Sequence, residues 1–335
     1  MNHTAAPLSQ VPTNIITGFL GVGKTTAILN LLKNKPGQES WAVLVNEFGE
    51  IGVDGSIMKG QATEANGIFI SEVPGGCMCC AAGLPMQIAL NELLKKARPD
   101  RLLIEPTGLG HPKEVLQVLS DEHYQGILDI QKTLTLVDAR RLADARYTTN
   151  TTFNQQIAIA DIVLGNKADL YQPEDKQQLI EYVAKKAAAG TEVIFGEFGV
   201  IEPEQLQGST RSPIVNHHAH HHHHADPRPL ASEKKFPESG FIKAVNEGEG
   251  YVSIGWRFTP EKHFSLFKVR QFVASPDVER LKAVFITTEG IYSYNKTRDG
   301  ITETALDEYS ESRIEIISDE ESEYWEEELL TCLIE

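Results

Sequence analysis

Three of the chain's four cysteines, Cys77, Cys79 and Cys80, fall within four consecutive positions of the stretch EVPGGCMCCAAG, residues 72–83. Soft thiolates at that density suit Zn²⁺ or Cu(I). Gly75 and Gly76 let the backbone bend so that the sulfurs converge. A Cys79–Cys80 disulfide would be a strained neighbouring pair. Cys77 and Cys80 have the C-x-x-C spacing of a redox site, but Cys79 intrudes. Metal binding is the stronger reading, with redox or purely structural thiols as its rivals. Zn²⁺ takes four ligands, so Glu50, Glu47, a histidine or a group from a partner would complete the set. A second source of ligands is HHAHHHHHAD, where His217, His218, His220, His221, His222, His223 and His224 crowd together. Imidazoles there would collect Zn²⁺ or Ni²⁺ loosely, and the rival reading is a low-complexity linker.

A different chemistry sits near the start. GFLGVGKTT fits G-x-x-x-x-G-K-[ST] through Gly18, Gly23, Lys24 and Thr25. In such a loop, backbone amides from Gly18, Gly21, Val22, Gly23 and the first helical residues to Thr26 curl around phosphate oxygens. Lys24 reaches the outer phosphates and the Thr25 hydroxyl binds Mg²⁺. LGNKAD, roughly 140 residues on, supplies Asn166, Lys167 and Asp169. A carboxylate at Asp169 accepts from the ring N–H and exocyclic amine of guanine, a donor pair that adenine lacks. A buried polar group left without its partner is costly, so this contact discriminates GTP from ATP. Asn166 would meet the opposite edge, the Lys167 stem would lie on the ring, and Phe195 and Gly196 would close the base pocket. RLLIEPTGLGHP puts Glu105 at a strand end, placed to hold the Mg²⁺ shell or orient water. Gly108 would let the backbone approach the γ-phosphate. Asp54, in NEFGEIGVDG, is a further candidate for positioning Mg²⁺ or water. His111 falls in the presumed second switch, where a satisfied local histidine is the plainer reading. No arginine finger or water-orienting glutamine is legible.

These residues need a scaffold. Apolar runs at NIITG, WAVLVNEF, RLLIEP, TLTLVD, DIVLGNK and EVIFG alternate with amphipathic stretches at 25–33, 83–97 and 174–189. That alternation predicts an α/β P-loop domain, a mostly parallel sheet covered by helices on both faces, over 1–207. Residues 208–237, rich in Pro, Ser and His, read as a His-rich linker. GYVSIGWRF, a helix near 264–273, RLKAVFITT, GIYSYNK, SRIEIIS and a final helix near 321–333 predict a smaller α+β domain over 238–335, with RDG supplying a turn.

The chain has 335 residues, 41% hydrophobic and 23% charged, as expected for a soluble protein of two domains. Its first residues lack the basic and apolar regions of a signal peptide, and no run is long enough to span a membrane, so the expected compartment is the cytoplasm and no membrane partner is expected. The net charge of -16 disfavours nucleic acid. Residues 307–335 alone hold 12 acids and one base. The plain reading is a solvated charged helix face, with a docking surface for a basic partner as the alternative.

Taken in order, the P-loop, NEFGE, GGCMCC, EPTG and NKAD resemble the CobW-like family of metal-handling GTPases, most of all its zinc-binding YeiR-type branch. The resemblance covers nearly the whole chain. It implies a GTPase with slow intrinsic turnover that uses GTP/GDP, Mg²⁺ and Zn²⁺. It also implies metal transfer to a metalloprotein client and a nucleotide- or metal-dependent homodimer. By motif it assigns phosphate and Mg²⁺ to Gly23, Lys24 and Thr25, guanine to Asn166, Lys167 and Asp169, and metal to Cys77, Cys79 and Cys80 with Glu50 nearby. Some relatives carry Glu where this chain has Val45. The rival function is a metal buffer or sensor whose GTPase is regulatory or vestigial.

Overall fold

Runs of Val, Ile and Leu buried on both sides build the first sheet. In a computed structural model, residues 8–45, 64–73, 84–211, 236–248, 250–306 and 310–334 are described. The strands are β1 (Val11–Gly18), β2 (Trp41–Val45), β3 (Ile68–Glu72), β4 (Arg101–Glu105), β5 (Leu128–Ile130), β6 (Leu134–Val137), β7 (Ile162–Gly165) and β8 (Glu192–Phe195). They lie in the order β3-β2-β4-β1-β6-β7-β8, with β5 beside the start of β1. Every pairing is parallel.

Parallel neighbours need crossovers. These contain α1 (Lys24–Asn34), α2 (Leu84–Ala97), α3 (Pro112–Leu119), α4 (Ala145–Thr148), α5 (Thr151–Ala158) and α6 (Pro173–Lys186). Successive strand residues point to opposite faces. Ile15, Leu44 and Ile104 pack with Leu90 and Leu93 of α2 on one side. Ile16, Val43 and Leu103 pack with Ile28 and Leu31 of α1 on the other. The expected α/β sheet is therefore present. Reading the sequence missed β3, β5, α3, α4 and α5, which are short or weakly patterned.

The second sheet is antiparallel. It comprises β9 (Phe241–Gly248), β10 (Tyr251–Phe258), β11 (Arg280–Thr287), β12 (Gly290–Thr297), β13 (Gly300–Leu306) and β14 (Ser312–Ser318), with α7 (Leu266–Ala274) and α8 (Tyr324–Thr331). The order is β13-β12-β11-β14-β10-β9. Arg298 and Asp299 form the expected turn between β12 and β13. One face is apolar: Trp256, Leu281, Phe285, Ile314 and Ile316 pack on Val269 and Phe272 of α7 and Leu329 of α8.

The opposite face is largely polar, and it turns toward the first sheet. Register pairs Arg280 with Ile317 and Lys282 with Glu315 across β11 and β14. Tyr251 and Ile317 join Phe19, Tyr147 and Phe153 in one buried cluster. The Phe19 ring lies 5.1 Å from Tyr147 and 6.2 Å from Tyr251. The Tyr147 hydroxyl donates to Glu279 Oε1 at 2.6 Å. Part of the acidic tail is buried rather than solvated. Glu311 accepts from Arg257 at 2.9 and 2.8 Å, and Glu315 from Arg280 at 3.0 Å.

Phe19 is the hinge of that junction. Phe19→Ala is expected to destabilise the protein by about 3–5 kcal/mol through the cavity it leaves, read as a lower urea midpoint.

Candidate functional site

Ligands of open parallel sheets bind beyond the carboxyl ends of the strands. Here β1, β4 and β7 end in the P-loop, Glu105 and Asn166 respectively. The chain must turn sharply after β1 to start α1. Gly21 and Gly23 do so with φ of 68° and 100°. A Cβ on Gly23 would also meet Asn166 Nδ2 at 2.7 Å. Gly18 is hemmed in, since its Cβ would meet the Leu136 carbonyl at 2.5 Å.

A cavity of about 500 Å³ opens at this edge. Gly21, Gly23, Lys24, Thr25 and Thr26 line one part, and Asn166, Lys167, Asp169, Leu170 and Phe198 another. Arg280, Lys282, Asn295, Thr297, Asp299 and Thr302 of the second sheet form the facing wall. The loop with its helix start can cradle phosphates. The exposed Asp169 carboxylate can accept from a base.

Lys24 is 6% exposed and donates to the Phe19 carbonyl at 3.2 Å. Burial lowers its pKa to about 7; Glu105 opposes that, while Arg280 and Lys282 add to it. Glu105 is 2% exposed. Burial raises its pKa to about 6 against the pull of Lys24 and Arg280. Its Oε1 accepts from the Thr25 hydroxyl at 3.3 Å, and its Oε2 is buried without a hydrogen-bond partner. A hydroxyl and a carboxylate this close, one oxygen unsatisfied, form a hard donor set that fits Mg²⁺.

Asn166 lines the cavity beside Asp169 and also braces the loops around it. Both ends of its amide are engaged within the protein: Nδ2 donates to the Val22 carbonyl at 2.8 Å, and Oδ1 accepts from Gly199 N at 2.9 Å. It ties the P-loop to the base loop. Lys167 has a left-handed φ of 62° and pairs with Asp299. Arg140 holds the same Asp299 at 2.9 Å and Asp138 at 2.6 Å. Phe195 packs edge-on against Tyr171 at 6.4 Å, and the aromatic lining the cavity is Phe198 instead. Gly196 contributes its carbonyl, which accepts from Ala168 N at 3.1 Å.

Gly108 packs on the P-loop itself, where a Cβ would come within 3.0 Å of Leu20 N. His111 Nδ1 lies 2.9 Å from Gln155 Oε1, the satisfied local histidine. Val45 is a core residue, 1% exposed. Glu47, Glu50, Asp54, Cys77, Cys79, Cys80 and His217, His218, His220, His221, His222, His223 and His224 lie outside the described residues. Among the described residues no cluster of three or more His, Cys, Asp or Glu could hold a metal. Cys332 is buried and its thiol is pushed up to about 11 by burial, so it makes a poor thiolate.

Sequence reasoning missed the facing wall. The only signal was the alternation in RLKAVFITT, which puts Arg280 and Lys282 on the face opposite Leu281 and Ala283. Nothing local says what that face meets.

A P-loop α/β sheet with an acidic strand end and an Asn-Lys-x-Asp loop defines a nucleotide-binding protein. The chain belongs to the family of the CobW/HypB/UreG nucleotide-binding domain, whose model matches residues 12–195. It is 40% identical over 317 residues to the zinc chaperone YeiR of Escherichia coli K12, covering 93% of this chain and 94% of that one. It is 29% identical to the zinc chaperone CobW of a Sinorhizobium species, covering 65% and 70%. It is 31% identical to the zinc-regulated GTPase metalloprotein activator 1 of Schizosaccharomyces pombe, covering 50% and 41%.

Asn166→Ala strands the Val22 carbonyl and Gly199 N–H together. The expected loss is about 1–3 kcal/mol per unsatisfied group, measured by denaturant unfolding. Asn166→Asp, which keeps the acceptor toward Gly199 but sets a buried carboxylate oxygen against the Val22 carbonyl, is expected to lose at least as much.

Proposed function

We propose that this protein is a zinc-handling GTPase that couples GTP binding and hydrolysis to delivery of zinc to a client metalloprotein. The observation that carries the reading is the cavity, lined by Lys24 and Thr25 in one part and Asp169 in another, with buried Glu105 accepting a hydrogen bond from Thr25 behind it. The similarity to proteins named zinc chaperones supports the metal half. Among the described residues no helix is long and apolar enough to cross a membrane.

In this reading the amides of Gly21, Gly23 and the first turn of α1 hold the β-phosphate, and Lys24 bridges outward to the γ-phosphate. Thr25 and Glu105 hold Mg²⁺, which when bound neutralises charge on the phosphate oxygens. Glu105, buried beside Lys24, also orients the first hydration shell. Asp169 reads guanine. The base loop is held by Asn166 to the P-loop, so occupancy of the base and phosphate ends is mechanically linked. Cys77, Cys79 and Cys80, with Glu50, would bind the zinc cargo as thiolates. They precede Glu105 by a single helix, α2, in the chain. Nucleotide state and metal affinity are then coupled, and the coupling must act in both directions.

Asp169→Asn replaces an acceptor with a donor facing the guanine amine. GTP affinity is expected to fall by roughly 100-fold or more, since a mismatched polar pair is penalised strongly. Competition with xanthosine triphosphate, whose carbonyl at that position accepts, is expected to favour the variant.

The coupling is tested by GTP turnover of the reduced protein with and without one equivalent of Zn²⁺, beside a variant with Cys77, Cys79 and Cys80 all changed to Ser. Zinc is expected to change turnover in the parent and not in the variant. Tight zinc binding with turnover indifferent to it would sink the coupling and leave a metal buffer.

A further inference from the structure

The phosphate end of the cavity contains two cations that the first sheet does not supply. Arg280 and Lys282 come from β11 and are each 5% exposed. Lys282 Nζ lies 3.3 Å from the Thr25 hydroxyl, across 257 positions of sequence. Both line the same cavity as Lys24. Their placement follows from strand alternation: Leu281 and Ala283 face the core beneath α7 and α8, so residues 280 and 282 must face the P-loop.

Among the described residues, Lys24, Arg280 and Lys282 gather around the buried acids Glu105 and Glu315. Glu315 is shared, accepting from Arg280 at 3.0 Å and from Ser253 at 2.9 Å. Buried cations are costly without anions. A cavity of this size lined by Lys24, Arg280 and Lys282 is matched by a polyphosphate. Lys282 also donates to the hydroxyl that fits Mg²⁺. An ammonium and a divalent cation cannot share that oxygen. With magnesium nucleotide bound, Lys282 must leave Thr25, and an outer phosphate would share the cavity that Lys282 lines.

We propose that Arg280 and Lys282 are phosphate-contacting residues of the GTPase reaction, with Lys282 acting in cis from the C-terminal sheet as the cation on the γ-phosphate. In hydrolysis the oxygen of water bonds to the γ-phosphorus as the bond to the β–γ bridging oxygen breaks. The bond's electron pair stays on GDP, and the water's displaced proton passes to solvent. Negative charge shifts toward the bridging and equatorial oxygens, where a desolvated ammonium stabilises it most. Arg280, held by Glu315, fixes the distance at which Lys282 works and adds its own field.

The inference rests on the GTPase reading above but not on zinc coupling. The test uses the full-length protein without zinc. It compares the parent with Lys282→Met and Lys282→Arg for single-turnover GTP hydrolysis at saturating Mg²⁺. Dissociation constants for GTPγS and for GDP are measured separately by fluorescence competition, with melting temperature as the control of folding. Lys282→Met is expected to slow hydrolysis by roughly 100-fold, the loss typical of one transition-state donor. It is also expected to weaken GTPγS binding more than GDP binding, with melting temperature and GDP affinity held. Lys282→Arg is expected to recover much of both.

A folded Lys282→Met protein with parental turnover and a parental GTPγS-to-GDP affinity ratio would overturn the proposal. So would faster hydrolysis, which would make Lys282 a plug over Thr25. Should Lys282→Met not fold, Lys282→Gln keeps a donor toward Thr25 without the charge and carries the same test. If the parent binds GTPγS but does not hydrolyse GTP, the GTPase reading fails, and the affinity ratio alone decides this one.

Discussion

A charge removed from water needs an opposite charge beside it, and the carboxyl edge of the parallel sheet removes Lys24 and Glu105 together. Each is nearly inaccessible, and burial pushes each toward its neutral form. That pair sets the local architecture. The P-loop must close tightly enough for α1 to begin at Lys24, which is why Gly21 and Gly23 take left-handed backbone. β4 must end at Glu105 beside Thr25. The region stays poised for an anion and a hard cation because neither charge is fully satisfied by the other.

The second sheet divides its labour by face. Its apolar side makes a conventional core with two helices. Its polar side supplies ion pairs, the Tyr251 and Ile317 contacts with Phe19, and the far wall of the nucleotide cavity. The turn at Arg298 and Asp299 reaches the base loop, where Asp299 is held by Lys167 and Arg140. The two units thus meet at both ends of one cavity. Neither alone encloses it.

Much of this was legible in the residues. The P-loop could be read because glycine spacing, Lys24 and Thr25 form one continuous segment between a strand and a helix. The six principal strands of the first sheet could be read because parallel strands are apolar throughout. β3 and β5 escaped because each is short and only partly buried. Asn166 was given to the base, but its tie between Val22 and Gly199 was not legible, since a motif names residue types and not every partner an amide finds. The facing wall was beyond local reading altogether. RLKAVFITT states that two cations share a face, but only the packing of Tyr251 and Ile317 on Phe19 decides where that face points. The acidic tail was read in part: Glu327 and Glu328 are exposed on α8, as a solvated helix face requires, but two earlier acids are not. Its Glu311 and Glu315 are drawn inward by Arg257 and Arg280, which lie earlier in the chain.

The composite cavity has a consequence for the protein's synthesis. The first sheet is complete once β8 ends at Phe195, yet Arg280 opens β11 only 85 residues later. At ribosomal speeds of roughly 5–20 residues per second, that gap lasts roughly 4–17 s. Throughout it the nascent chain holds a finished P-loop with no opposing wall, and Ile317, which helps to cover Phe19, comes later still. The young chain is therefore a different molecule from the mature one in its exposed apolar surface and in its field at the phosphate end. The last strands to leave the ribosome complete the first site to be encoded.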